Sequence, residues 1–306
     1  MPVYNVRDYI GEAIDSILHQ SFTDWELIIV DDCSTDGTYD IIQEYAAKNN
    51  NIRYFRTEKN SGGCIVPRNL AVEHSIGKYI TYLDADDTLE SVFLEKFHDE
   101  IINTDTDCIL CVAPNDERLH TIESGREAIA YTVPEWRIAT GMCYTKNSYL
   151  KAKSNINGLS SGYIDEIITR LIVLFSDRVA FSDAKYYYRY NPNSITKRYD
   201  TILHKVEAAV ILKQILSRYM DESSIIMQGA NHMILREIFI GAHRIGVGKR
   251  NGVYVGSPLI RQLRKGYDSV NKDNLPPASG IKDCLLRLLG KNAITFAYWR
   301  GFIKGR

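Results

Sequence analysis

No window of this chain holds the long uninterrupted apolar run that a membrane span needs. Its first residues also lack a charged segment followed by an apolar one, the pattern of a secretory leader. A cytoplasmic protein is therefore expected, at most peripheral to the cytoplasmic face of a membrane. Internal repeats and low-complexity tracts are missing as well. Cysteine is sparse: six residues, at 33, 64, 108, 111, 143 and 284, scattered as in a reducing compartment. Cys108 and Cys111 form a C-x-x-C, but Asp107-Cys108-Ile109-Leu110-Cys111-Val112 reads as a buried strand. Residues three apart on a strand face opposite ways, so the pair cannot share a metal ion. No Ser-His or Cys-His set stands out that would supply a protein nucleophile.

Net charge is nearly absent, −1 over 306 residues, yet it is unevenly spread. Residues 241–306 hold 13 Lys+Arg against 3 Asp+Glu, a net of +10, which leaves −11 for residues 1–240. A basic end suits an anionic partner. The basic residues lie outside any nucleic-acid motif, so no nucleic acid is expected. In residues 281–306, Leu285, Leu286, Leu288, Leu289, Trp299 and Phe302 alternate with Lys282, Arg287, Lys291, Arg300 and Lys304. Two readings fit: an amphipathic helix lying on the anionic inner membrane surface, or a helix packed on the rest of the chain or on a second subunit.

What is present is an ordinary globular composition, 45% hydrophobic and 25% charged, with length for one large α/β domain and an appendage. Helical spacing (residues 6–20, 38–48, 67–75 and 89–102) alternates with strand-like runs (residues 26–30, 52–56, 79–83 and 108–112). Such alternation predicts a mostly parallel sheet with helices on both faces, where ligands bind at the carboxyl ends of strands. Met1-Pro2-Val3-Tyr4-Asn5 reads as the end of a first strand without its beginning, as an incomplete or late-started chain would show. Residues 203–248 read as helical and residues 251–280 as loop-rich.

The densest chemistry is in Leu83-Asp84-Ala85-Asp86-Asp87, at the end of the run Tyr79-Ile80-Thr81-Tyr82-Leu83. Like charges this close disfavour one another's ionisation unless a cation sits among them. Hard oxygen ligands beside a cleft suit Mg²⁺ or Mn²⁺, which keep positions open for substrate phosphates. The plainer reading is a solvated acidic turn, with Asp86 or Asp87 capping a helix over residues 89–102.

Four segments occur together: Met1-Pro2-Val3-Tyr4-Asn5; Trp25 to Thr38 with Asp31-Asp32; Asn60-Ser61-Gly62-Gly63 through Pro67-Arg68-Asn69; and Gly77 to Asp87. In order and spacing they resemble glycosyltransferase family 2, of GT-A fold, in its capsule and cell-envelope polysaccharide branch. The resemblance covers residues 1–113. It implies a nucleotide-sugar half over residues 1–113, an acceptor half over 114–200, and a helical region over 201–306. It also implies an inverting transfer of a sugar, from a UDP-sugar by preference, to a hydroxyl of a glycan or polyprenyl-diphosphate-linked acceptor, with Mn²⁺ or Mg²⁺.

On that resemblance Pro2 and Tyr4 line the donor site. Asp31 and Asp32 accept from a uracil N–H or a ribose hydroxyl, or else cap a helix. Gly62 and Gly63 let backbone approach the diphosphate, and Arg68 clamps it. Asp86 is the foremost metal ligand, and Asp84 meets the metal or the ribose. In Ser160-Ser161-Gly162-Tyr163-Ile164-Asp165-Glu166, Asp165 matches the Asp of a catalytic Glu-Asp pair, although Ile164 replaces the Glu. Asp165 is thus the expected base, with Glu166 as the alternative. Tyr186 to Thr196 resembles a segment whose Arg189 and Ser194 close over the diphosphate, or which packs as a strand and turn. Trp136, Tyr144 and Tyr163 are candidate sugar platforms, or core. The rival outside enzymes is a catalytically silent nucleotide-sugar or carbohydrate-binding subunit. A nucleotidyltransferase fits less well, since no Gly-rich, Arg/Lys-bearing loop follows the first strand.

Overall fold

The computed structural model describes residues 1–133, 141–156, 164–192, 202–252, 257–276 and 290–304. The chain divides into two compact units. The first comprises Met1–Ala128, Ile138–Asn157 and Ile168–Asn191, and the second comprises Ile129–Arg137, Gly158–Ile167 and Pro192–Arg306.

The first unit carries two sheets. A parallel sheet has the order β1 (Pro2–Val3), β2 (Leu27–Asp31), β3 (Ile52–Arg56). All five residues of β2 are buried, as its unbroken apolar run requires of a strand covered on both faces. Leu27 and Ile29 enter the main core, while Ile28 and Val30 pack with Ala71 on the other side. Helix α1 (Arg7–Leu18) lays Ile10, Ala13, Ile14 and Ile17 onto that main core. Ile10 and Ile14 are fully buried, each contributing roughly 1.5–3 kcal/mol of transfer free energy. Helices α2 (Thr38–Lys48) and α3 (Ile65–His74) follow β2 and β3.

The second sheet is mixed. Its order is β4 (Tyr79–Thr81), β8 (Met142–Thr145), β6 (Cys108–Cys111), β9 (Val179–Ser182), β7 (Ile122–Glu123). β8 runs antiparallel between β4 and β6, and β6 pairs parallel with β9. The division expected at residue 113 therefore falls inside a sheet, because strands from both sides of it are laddered together. A two-stranded pair, β5 (Thr88–Leu89) with β10 (Tyr186–Tyr187), completes the strands among the described residues. Because residues 88–89 enter this pair, α4 begins at Phe93 (Phe93–Thr104) rather than at 89. Its N-cap is Val92, so neither Asp86 nor Asp87 caps it.

Cys108, Cys111 and Cys143 lie in the β6–β8 region, where burial raises all three thiol pKa values, that of Cys143 to about 12. Cys108 and Cys143 are core and Cys111 packs partly buried against it, in keeping with the strand reading of the C-x-x-C. Tyr144 is fully buried, so it is a core residue and not a sugar platform.

α5 (Gly125–Thr132), α6 (Lys146–Ser154) and α7 (Ile164–Leu174) lie between these strands in sequence. The second unit is helical, with α8 (Ile202–Leu216), α9 (Ile225–Arg250), α10 (Ser257–Asp268) and α11 (Asn292–Lys304). α10 falls where a loop was expected. Pro258 sits at its start, where a missing N–H costs little, and Leu263 and Tyr267 are buried. Ala293, Ile294 and Ala297 of α11 are fully buried in this unit, where the helix packs on α9. Of residues 281–306, 281–289 and 305–306 lie outside the described set. Among the described residues no helix is long and apolar enough to cross a membrane.

Candidate active site

The carboxyl end of β2 is knitted to the residues that follow β1. Asn5, at φ 49°, accepts the Thr35 amide on Oδ1 at 2.8 Å and donates its own amide to Ser34 Oγ at 2.9 Å. Asp36 accepts the Arg7 amide at 3.0 Å and the Thr38 hydroxyl at 2.6 Å. Tyr4 stands 48% exposed at this edge, while Pro2 lies within β1.

Asp31 and Asp32, expected to accept from a uracil N–H or a ribose hydroxyl, both brace the loops at the end of β2. The Asp31 side chain is wholly buried, ion-paired to Arg56 Nε at 3.1 Å, and accepts the Ser34 amide at 3.2 Å. Asp32, 2% exposed, accepts Thr57 Oγ1 at 2.8 Å, Ser61 N at 2.9 Å and Ser61 Oγ at 2.8 Å. Asp32 thereby fixes the Asn60-Ser61-Gly62-Gly63 loop. Gly62 has φ +80°, a conformation that disfavours a side chain, and both glycines face open space. That is the exposed backbone an approaching diphosphate needs.

Arg68 is nearly buried, near the start of α3. Its Nη2 donates to Asp84 Oδ1 at 2.7 Å, and its guanidinium lies 4.8 Å from the Tyr82 ring centroid. It thus joins the glycine-loop side of the site to the acidic turn. Asp84 remains 31% exposed.

The three carboxylates of the turn have different surroundings. Asp87 is 4% exposed, and its Oδ2 accepts the Tyr186 hydroxyl at 2.9 Å and its Oδ1 the Arg189 amide at 2.8 Å. Burial, with Asp86 and Asp84 alongside, outweighs these donors and raises its pKa to about 6. Asp86 is partly exposed and accepts Asn191 Nδ2 at 2.9 Å. Tyr186 and Asn191 were not singled out from the sequence as site residues. The run of tyrosines at 186–188 was the signal, read then only as part of a longer segment.

Arg189, expected to close over the diphosphate, has several partners within the protein. Its guanidinium donates to Asp86 O at 2.7 Å, Glu12 Oε2 at 2.7 Å and Tyr9 O at 2.9 Å. It ties the acidic turn to α1. Ser194, Trp136 and Tyr163 lie outside the described residues. Asp165 and Glu166 open α7 within the stretch Gly158–Ile167 of the second unit, Asp165 partly exposed and Glu166 buried.

The donor set left by the turn is oxygen only: Asp86, with Asp84 as a second carboxylate already shared with Arg68. Among the described residues no three His, Cys, Asp or Glu side chains gather into a protein-only metal cage. Such a set fits Mg²⁺ or Mn²⁺, held by one or two carboxylates together with substrate phosphates and water, and does not fit a closed thiolate or imidazole site.

Residues 1–148 match the family model described as glycosyl transferase family 2. Over 95 residues the chain is 48% identical to a putative teichuronic acid biosynthesis glycosyltransferase, TuaG, of Bacillus subtilis (strain 168), covering 31% of this chain and 37% of that protein. Over 111 residues it is 34% identical to the poly(ribitol-phosphate) beta-N-acetylglucosaminyltransferase TarS of Staphylococcus aureus (strain Mu50 / ATCC 700699), covering 33% of this chain and 19% of that one. The matches thus span well under half of these relatives. Among solved structures, S. aureus TarS 1–349 in complex with UDP-GlcNAc superposes with a TM-score of 0.70 at 20% identity, covering 98% of this chain and 87% of that chain. A mannosyltransferase, PcManGT, from Pyrobaculum calidifontis in complex with GDP-Man and Mn²⁺ gives 0.55 at 14% identity, covering 100% and 86%. At these identities the likeness is one of fold, and the α/β GT-A fold is what it shows.

Proposed function

Residues 1–148 of this chain belong to glycosyl transferase family 2, and from that premise we propose that the protein moves a sugar, with inversion, from a UDP-sugar to a hydroxyl of a cell-envelope polymer or its lipid-linked precursor. The observation that carries this reading is the acidic turn. Three carboxylates within four residues are sorted by their surroundings into one scaffold residue, Asp87, and two partly exposed ones, Asp84 and Asp86. Arg68 beside Asp84 and the open Gly62-Gly63 backbone complete a place for a diphosphate.

Asp86 and Asp84 hold a divalent cation when one is bound, and that cation supplies Lewis-acid stabilisation of the leaving diphosphate. Arg68 adds fixed positive charge to the same end. Asp165 receives the proton of the attacking hydroxyl as general base. Its partial exposure supports it over the buried Glu166. Inversion needs one in-line displacement and no covalent intermediate on the protein. The TuaG and TarS names support a polymer of the cell envelope as acceptor, and the UDP-GlcNAc complex supports a UDP-sugar as donor.

The test is thermal shift and donor turnover against UDP-, GDP-, TDP- and CMP-sugars, with Mn²⁺ or with EDTA. One UDP-sugar stabilises the wild type only with metal, and Asp86→Ala abolishes the effect. If no nucleotide sugar binds with metal present, the transferase reading fails. Binding without turnover on any acceptor leaves the silent-subunit reading standing.

A further inference from the structure

The segment Tyr186 to Asn191 grips the acidic turn at three successive points. The Asp84 amide donates to the Tyr186 hydroxyl at 3.0 Å, and that hydroxyl donates onward to Asp87 Oδ2 at 2.9 Å. One hydroxyl thus bridges both ends of the turn, which is itself closed by the Asp87 amide on Asp84 O at 3.0 Å. Arg189 holds the Asp86 carbonyl, and Asn191 reaches the Asp86 carboxylate at 2.9 Å. β10 anchors this segment antiparallel to β5, with Tyr186 opposite Leu89, immediately beyond the turn. The segment is therefore registered against the turn by a ladder and not by side chains alone.

We propose that Tyr186 and Asn191 are positioning residues for the donor site: Tyr186 fixes the spread between the Asp84 and Asp86 carboxylates, and Asn191 fixes the orientation of the Asp86 carboxylate. This rests on the donor-site reading above. Carboxylates that hold a metal owe their aim to the hydrogen bonds behind them, and losing such a partner typically weakens metal binding about 10–100-fold. Neither residue touches the reacting atoms in this scheme. Without the hydroxyl, the Asp84 amide loses its acceptor and the Asp87 carboxylate loses a donor, and the bridge between the two ends of the turn is gone while the Arg68, Arg189 and Asn191 bonds remain.

The experiment titrates UDP with Mn²⁺ into the full chain by calorimetry, and reads Mn²⁺ uptake by electron paramagnetic resonance. Wild type, Tyr186→Phe, Asn191→Ala and the control Tyr187→Phe, whose side chain is exposed, are compared. Tyr186→Phe and Asn191→Ala should each weaken Mn²⁺–UDP binding about tenfold or more, while Tyr187→Phe leaves it within about twofold. If either folded variant binds Mn²⁺–UDP within twofold of wild type, the positioning role assigned to that residue is overturned, even if its melting temperature drops. Should Tyr186→Phe not fold, Asn191→Ala decides for the segment with the same two outcomes. Failure of the wild type to bind Mn²⁺–UDP would instead sink the donor-site reading itself, so the two failures are distinct.

Discussion

Asp87→Asn separates scaffold from ligand within a single acidic turn. Asp87 is 4% exposed with a pKa raised to about 6 from 3.8, first by burial and then by the neighbouring Asp86 and Asp84. A carboxyl whose folded pKa lies above its unfolded one binds its proton more tightly when folded. Its contribution to stability is fully present below pH 3.8 and is lost as pH rises through about 6. At neutral pH the ionised, buried carboxylate therefore costs stability, about 1–2 kcal/mol once screening near the cleft is allowed for. An asparagine keeps an oxygen for the Arg189 amide, reverses the bond to Tyr186 by donating its NH₂ to the hydroxyl, and removes the charge. Urea midpoints of wild type and Asp87→Asn, measured from pH 4.5 to 7.5 in EDTA, should diverge, with the variant gaining on the wild type as pH rises. Metal-dependent UDP binding should survive in Asp87→Asn and vanish in Asp86→Ala. A difference that stays flat with pH, or a wild type that gains on the variant, would refute the account of the turn.

Asp36→Ala removes the acceptor for the Thr38 amide and hydroxyl and the Arg7 amide, and should cost about 1 kcal/mol at pH 7 in a denaturation series. Burial pushes the Asp36 pKa up, but these donors outweigh it and hold it below 3.8, so the deficit should disappear as pH falls through that lowered value. Iodoacetamide at pH 8 should label the half-buried Cys33 and Cys64 in the native protein and spare the buried Cys108 and Cys143 until denaturant is added, as mass spectrometry would show. Gly125→Ala should fail to give folded protein or lose more than about 2 kcal/mol, because its Cβ would lie 2.1 Å from Val173 O and 2.4 Å from Ser176 O. A variant with wild-type melting would contradict that packing.

The helices and strands of residues 1–111 were largely legible, because each is written in local periodicity. Residues 38–48 and 52–56 have the bounds that apolar spacing gave them. Two kinds of error share one cause. β8, antiparallel to β4 and β6, was not foreseen, because its pairing is set by partners far along the chain. α4 begins four residues later than its spacing suggested because residues 88–89 are claimed by β10, about a hundred positions away. α10 was missed because Gly, Pro and basic residues outweighed an apolar pair, Leu263 and Tyr267, that only packing makes decisive. The carboxylates Asp84, Asp86 and Asp87 were recognised as a unit, but not which of them is buried.

Apart from the glycine loop and arginine that only the family resemblance implied, the sequence by itself determined that acidic side chains would cluster at the end of a strand. Residue type and short-range spacing suffice for that. Only the tertiary structure decided the roles. Asp87 is buried because Tyr186 comes to it from 99 residues away, and Arg189 ties the turn to Glu12, 177 residues away. Burial and hydrogen-bond partners set a carboxylate's charge state and reach, and they come from chain closure over distances that no local pattern records.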